Sequence, residues 1–116
     1  MILHIIEGEE WIKAKEQGIY TPASIVTDGF IHCSTTEQVI EIANFLYKGY
    51  FGLVLLCIAS NKVNSKIVYE DLYETGKLYP HIYGSLNVDA VFKVVEFETN
   101  SDGSFDLPYE INEIVT

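Results

Sequence analysis

The sequence contains no arginine, and its seven lysines stand against seventeen aspartates and glutamates, giving a formal net charge of −10. Nucleic-acid-binding proteins use basic side chains to neutralise phosphates, and the planar guanidinium of arginine is the usual two-point grip on a phosphate group. An anionic membrane surface attracts basic segments in the same way. The composition therefore predicts neither a nucleic-acid partner nor a membrane partner.

Cysteine and long apolar runs are scarce as well. The two cysteines, Cys33 and Cys57, lie in apolar, strand-like runs without the short spacing of a metal or redox motif, which predicts two buried, reduced thiols. There is no run of about 18 apolar residues to span a bilayer. The apolar start of the chain turns acidic at Glu7, too early for a signal peptide. The expected location is cytoplasmic.

What the sequence has is ample apolar material for one core. Of its 116 residues, 48% are hydrophobic, a content that offsets chain entropy and excludes disorder. The length fits a single domain spanning residues 1–116. As an assembly, we expect a monomer or a weak homodimer that binds a small-molecule ligand.

Strands outnumber helices in the pattern, without regular alternation. A capping box, Ser34-Thr35-Thr36-Glu37, indicates the start of a second helix that ends near Lys48, after a first helix that Gly18 ends. The segment 71–80 is typical of a mobile loop. We predict an α+β domain with a bent, split mixed β-sheet, two main helices, and strands over 2–6, 30–33, 52–59, 66–70, 90–98 and 105–107.

The three histidines are the leading candidates for chemistry. His4 lies within an apolar first strand, where it is either a hydrogen-bonded core residue or a ligand-facing donor. Strand alternation places Phe30, His32 and Ser34 on one face, with His32 and Ser34 beside a helix start, while Cys33 points to the core. Ser34 could equally be a simple helix cap, with His32 packed beside it.

A second candidate segment is Tyr79-Pro80-His81-Ile82-Tyr83-Gly84, which groups aromatic rings and an imidazole around an expected bend. Such a group suits a wall that stacks on a flat ligand, although plain packing gives the same pattern. Glu70 precedes the loop that leads to His81 and is the carboxylate candidate. The predicted cleft is lined by His4, His32, Ser34, His81 and Tyr83.

Two alternative chemistries lose support from spacing. Histidines separated by 28 and 49 residues match no compact metal motif, so no metal site is predicted. A hydrolytic triad is disfavoured because His32 and Ser34, two residues apart on one strand face, do not aim the serine oxygen at the imidazole.

Several segments together resemble the bacterial domain of unknown function 952 family over nearly the whole chain. They are Leu-His-Ile-Ile at the start, Gly-Phe-Ile-His-Cys-Ser, Leu-Leu-Cys-Ile, Val-Tyr-Glu at 68–70, and Tyr-Pro-His-Ile-Tyr-Gly at 79–84. That family in turn distantly resembles the ADP-ribosyltransferase fold, most closely its RNA 2′-phosphotransferase branch.

This resemblance implies NAD as the cofactor. It implies that His4 contacts the NAD ribose and that His32 and Ser34 line the nicotinamide side. Other transferases use a late-strand glutamate to stabilise the cationic sugar in the transition state. No position here matches that glutamate closely, and the candidate is Glu70, which precedes the expected place. The arginines that hold RNA phosphate have no counterpart.

Three functions therefore remain open. In the first, an NAD-dependent enzyme transfers or hydrolyses ADP-ribose, with His32 and Glu70 as catalytic residues and His4, Ser34, His81 and Tyr83 binding the cofactor. The second is a non-catalytic module that binds a neutral or cationic metabolite. The third is a structural or interaction domain whose histidines are buried and satisfied.

Overall fold

The computed structural model describes residues 1–115. Its elements in chain order are β1 Ile2–Glu7, α1 Gly8–Gln17, β2 Ile19–Tyr20, α2 Ser24–Thr27, β3 Ile31–His32, α3 Val39–Leu46, β4 Leu53–Ile58, β5 Lys66–Glu70, β6 Tyr79–Tyr83, β7 Leu86–Asn87, β8 Val91–Phe97 and α4 Tyr109–Val115. Short 3₁₀ turns lie at Ser60–Lys62 and Val88–Ala90. The α+β class is confirmed.

The strands form three sheets, with the orders β1-β4-β8, β2-β7 and β3-β6-β5. Every strand pair within the described chain is antiparallel, so the predicted mixed sheet is wrong. Most neighbouring strands are far apart in the chain, as β1 and β4 are, so their direction is set by the path of the connections and not by short turns. The predicted split is present, because β1 meets the chain after β3 only at the Leu3–Ser34 bridge.

The central strand β4 separates two apolar cores. Alternation sends Leu56 and Ile58 into a core shared with Trp11 of α1 and Ile82 of β6. The intervening residues of β4, with Leu55 fully buried, pack under α3 and α4. Burying a leucine of this kind contributes about 1.5–3 kcal/mol. The most apolar run of the sequence is therefore the middle of the molecule, as its composition predicted.

The β3-β6-β5 sheet presents two different faces. Ile31 and Ile82 pair across the strands and point into the first core. Their neighbours His32 and His81 also pair with each other, on the opposite face. The expected bend around His81 is wrong, since His81 is the middle residue of a strand that has partners on both sides.

The second helix begins later than its predicted cap. The Thr35 amide donates to Gln38 Oε1 at 3.1 Å, but α3 starts only at Val39, and no side chain caps it at its N-cap residue Gln38. Residues 105–107 form no strand; Phe105 instead fills the second core. The short helix α4 has no prediction to match it. None of the helices within residues 1–115 has the length and apolar composition that crossing a bilayer requires.

Candidate functional site

A cavity of about 930 Å³ opens where the sheets split. Its walls include β1 from Leu3 to Glu7, Ser34, which bridges to Leu3, and residues of α3. The loop between β5 and β6 closes the end through Tyr73 and Thr75. Ligand pockets commonly measure roughly 300–1,000 Å³, so this space suits a small molecule.

Four tyrosines line the cavity: Tyr20, Tyr47, Tyr73 and Tyr79. The charged residues among its described walls are all carboxylates, Glu7, Glu10 and Glu41, and no lysine lines it. Lys77 approaches the rim only by pairing with Glu41 at 2.8 Å. Aromatic faces and carboxylates both attract cations. Walls of this composition favour a planar neutral or cationic molecule over an anion.

His4 points into this space from β1 with both ring nitrogens engaged. Nδ1 donates to the carbonyl oxygen of His32 at 2.6 Å, and Nε2 lies 3.0 Å from the hydroxyl of Tyr20. Burial lowers the pKa of His4 to about 4, so the ring is neutral at pH 7. A neutral ring with a hydrogen on Nδ1 leaves Nε2 to accept from Tyr20.

His32 stands on the outer face of β3 between two partners. Nε2 lies 2.8 Å from Asp28 Oδ2, and the Tyr73 hydroxyl lies 2.6 Å from Nδ1. A carboxylate can only accept, so Nε2 carries the hydrogen, and in the neutral ring Nδ1 accepts from Tyr73. Burial, followed by the charge of Asp28, raises the pKa of Tyr73, which stays a protonated donor. This Asp28–His32–Tyr73 chain ties the loop to the sheet.

His81 is the one histidine with no exposed surface. Its Nδ1 lies 2.9 Å from Glu70 Oε1, and its ring stacks on Phe30 with centroids 4.0 Å apart. Its Nε2 is buried and has no hydrogen-bond partner, alone among the described buried side-chain nitrogens and oxygens. Such an atom in a cavity wall calls for a functional explanation.

Glu70 and Tyr83 lie beside the cavity rather than in its walls. The Tyr83 hydroxyl donates a short hydrogen bond to Glu70 Oε1, the oxygen that also accepts from His81. These two bonds, that of Tyr83 first, lower the pKa of Glu70 and keep it ionised. Glu70 thus reaches the cavity only through His81, and Tyr83 acts behind it.

Ser34 is a buried residue of the cavity wall. Its backbone exchanges two hydrogen bonds with Leu3, both at 2.8 Å, which fasten the wall to β1. It does not cap α3, whose N-cap residue is Gln38. The structure therefore brings His4, His32, Ser34 and His81 to one cavity and leaves Glu70 and Tyr83 adjacent to it.

Sequence reasoning missed Asp28, Tyr73 and Tyr20 as partners of the histidines. Asp28 sits four residues before His32, but its neighbour Gly29 marks a turn, and a turn gave no reason to expect an ion pair. Tyr73 comes from the loop after β5, whose path depends on packing. Strand alternation did place Phe30 on the face of His32, and the centroids of the two rings lie 4.7 Å apart.

Neither cysteine is suited to act as a nucleophile. Both are buried, and burial raises the pKa of Cys33 and raises that of Cys57 to about 11, so the thiols stay protonated at pH 7. Within residues 1–115, no group of three or more histidine, cysteine or acidic side chains is arranged to hold a metal ion.

Comparison with known proteins identifies relatives without a described activity. The chain is similar to the crystal structure of protein CC0527 from Caulobacter crescentus, with 30% sequence identity, a TM-score of 0.84, and coverage of 99% of this chain and 98% of that one. A solution NMR structure of CC0527 matches with a TM-score of 0.70 over 89% of each chain. None of the curated proteins matches the sequence.

A family described as "Protein of unknown function (DUF952)" matches residues 5–94. Neither this family nor the CC0527 structures carries an ADP-ribosyltransferase description, so the distant resemblance to that fold stays a prediction. The family match extends over most of the chain and includes His32 and His81, whereas His4 lies just before it. The protein belongs to the DUF952 family.

Proposed function

We propose that the cavity binds a nicotinamide nucleotide, with NAD as the reference ligand, and that the protein breaks its N-glycosidic bond to hydrolyse or transfer ADP-ribose. The observation that carries this proposal is that tyrosine rings and carboxylates, without a lysine, line the cavity together with three imidazoles. The nicotinamide ring of NAD is a planar cation, and the walls offer it aromatic faces and opposite charge.

The ribose would meet Tyr20 rather than His4. Both nitrogens of His4 are engaged, and the Tyr20 hydroxyl donates to His4 Nε2, which leaves lone pairs on the tyrosine oxygen. Those lone pairs can accept from a ribose hydroxyl. His4 thereby acts as a positioning residue for Tyr20, and Ser34 forms part of the wall nearby.

The chemistry begins when the bond between the sugar C1′ and the nicotinamide nitrogen breaks. The electron pair goes to the ring nitrogen, and the positive charge moves from the ring to the sugar. Carboxylates fixed in the wall stabilise that charge, since groups positioned in advance pay little reorganisation. Water or an acceptor hydroxyl then bonds to C1′ and loses a proton to a basic side chain.

The diphosphate of NAD finds no cation among the described walls, so it would lie at the mouth of the cavity, in solvent. The same observation favours the second candidate function, non-catalytic binding of a neutral or cationic metabolite that lacks phosphate. Release of nicotinamide from NAD separates the two functions, because a binding module takes up the ligand without turnover.

Titration calorimetry with three ligands tests the proposal. NAD and nicotinamide riboside carry the pyridinium, whereas ADP-ribose carries the phosphates of NAD but lacks the pyridinium. We expect the riboside and NAD to bind and ADP-ribose to bind at least about tenfold more weakly, since one charge contact near a protein surface is worth about 1 kcal/mol or more. No saturable heat from either pyridinium ligand at millimolar concentration would refute it.

A matched pair of variants locates the contact. Glu10→Gln removes one carboxylate from the wall, and Glu98→Gln removes one from the exposed residue that follows β8, with the same change in net charge. The first should weaken binding of nicotinamide riboside several-fold, and the second should leave it unchanged. Equal effects of the two variants would mean that the ligand responds to overall charge and not to this cavity.

A further inference from the structure

We propose that His81, held by Glu70, is the acid–base group of the cavity, and that its Nε2 takes the proton from the water or hydroxyl that bonds to the sugar. The inference rests on the proposed function and adds to it the residue that carries the proton. Neither the pattern of the sequence nor the family assigns this role.

The three imidazoles differ in whether a ring nitrogen is left free. The nitrogens of His4 are occupied by a backbone carbonyl and Tyr20, and those of His32 by Asp28 and Tyr73. His81 alone keeps a nitrogen without a partner. A general base needs a lone pair that no protein donor already uses, so among the three imidazoles only His81 qualifies.

Glu70 imposes one tautomer on the ring of His81. The carboxylate can only accept, so the hydrogen of the neutral imidazole sits on Nδ1, and Nε2 carries the lone pair. Glu70 also stabilises the imidazolium that forms when Nε2 takes a proton. Tyr83 donates to the same carboxylate oxygen and holds it in place. Glu70 and Tyr83 are therefore positioning residues.

Neighbouring rings hold the imidazole of His81 in place. The ring of His81 stacks on Phe30, and the rings of His32 and Tyr73 meet it nearly edge-on, with centroids at 5.7 and 5.9 Å. Nδ1 turns towards Glu70 on β5, and His81 is one of the residues that line the cavity. The ionisable groups around the ring are Glu70 from β5, His32 from β3, Tyr73 from the loop, and Tyr79 and Tyr83 from its own strand.

The step balances as a hydrolysis. As nicotinamide leaves with the glycosidic electron pair, a water oxygen bonds to C1′ and its O–H bond breaks, with the proton passing to His81 Nε2. The products are ADP-ribose and nicotinamide, and the imidazolium returns its proton to solvent. With an acceptor alcohol in place of water the same transfer yields an ADP-ribosylated product.

Imidazole NMR on the full chain tests the tautomer directly. The protein has three histidines, so substituting each in turn assigns every ¹⁵N signal. We expect His81 to be the Nδ1–H tautomer at pH 7, with an unprotonated Nε2 whose signal moves when nicotinamide riboside is added. A hydrogen on Nε2, or a ligand that binds without moving that signal, would overturn the inference.

Nicotinamide release from NAD tests the role. In His81→Asn the amide replaces Nδ1 and can still donate to Glu70, but no atom replaces Nε2. We expect release to fall about 10²- to 10⁴-fold, the usual worth of a general base, while NAD binding changes less than about threefold. Wild-type release rates in this variant would overturn the inference.

A second variant guards against misfolding of the first. Glu70→Gln keeps a hydrogen-bonding side chain but loses the charge, so release should fall and its acid limb should shift in the pH profile. An unchanged profile would contradict the positioning role. If the wild-type protein binds no NAD, the proposed function fails, and the tautomer measurement alone decides whether His81 has a free nitrogen.

Discussion

Single residues in this protein are controlled by what their polar atoms contact and by how deeply they lie. His4 and His81 both sit on strands that run through apolar surroundings, yet one has two partners and the other only one. A buried imidazole that is fully hydrogen-bonded is a structural feature, whereas a free nitrogen is a chemical one. The partner, not the residue type, separates the two.

The first prediction concerns the pH dependence of stability. The pKa of His4 is about 4 in the folded protein and about 6.5 in an unfolded chain. The unfolded state binds the extra proton between these values, so the stability that His4 contributes is complete above pH 6.5 and is lost as the pH falls to 4. The loss should reach about 3 kcal/mol, measured by urea unfolding across this range.

The matched variant is His4→Gln, which keeps a polar amide and does not titrate. Its unfolding free energy should change less between pH 6.5 and 4 than that of the wild type, although carboxylates affect both proteins at the lower end. Parallel curves for the two proteins would show that His4 is not the group responsible.

Among the structural elements, the turn after β6 is the most constrained. Gly84 has φ +140°, and a Cβ added there would lie 2.6 Å from Ser65 Oγ. That hydroxyl donates to the carbonyl of Ser85 at 2.7 Å, so it cannot simply turn away. The turn fixes the end of the strand that carries His81 and Tyr83.

The second prediction follows from that turn. Gly84→Ala should lower the free energy of unfolding by about 2–4 kcal/mol, since it adds a steric clash to an unfavourable backbone conformation. The control is Gly18→Ala, which also has a positive φ but meets nothing within 4 Å and should cost about 1 kcal/mol. Denaturant melts of both variants decide it; equal losses would contradict the role of the Ser65 contact.

At the scale of the whole molecule, charge is the dominant feature. A net charge of −10 on 116 residues makes the chain repel itself, and the three carboxylates at the cavity add a local field of the same sign. The same field that weakens the compact state draws a cation towards the cavity. Binding preference and stability therefore share one cause.

The third prediction is that salt stabilises this protein. Raising NaCl from about 0.01 to 0.3 M shortens the screening length from about 30 Å to less than 10 Å and should raise Tm by several degrees. Above about 0.3 M, further NaCl should raise Tm little, because the charges are already screened. Excluded salts, in contrast, raise Tm steadily with concentration. A Tm that falls over this range, in calorimetric scans at pH 7, would contradict it.

Several parts of the fold follow from the sequence by itself. The apolar run of β4, the first strand and helix, and the strand from Lys66 to Glu70 are where the periodicity predicts them, because burial and side-chain spacing are local properties. The sheet pairing was predicted incorrectly. Whether a strand runs parallel or antiparallel to its neighbour depends on how loops return the chain, which no local pattern encodes.

The residues of the site divide along the same line. The sequence determined which side chains could do chemistry, placing His4 and His32 on strands and leaving the chain with no arginine for phosphate. Only the tertiary structure decided which ring nitrogens have partners. Tyr20, Asp28, Tyr73 and one backbone carbonyl engage both nitrogens of His4 and of His32, while Nε2 of His81 stays free. Hydrogen-bond partners come from residues distant in the chain, so their assignment waits for packing to bring them together.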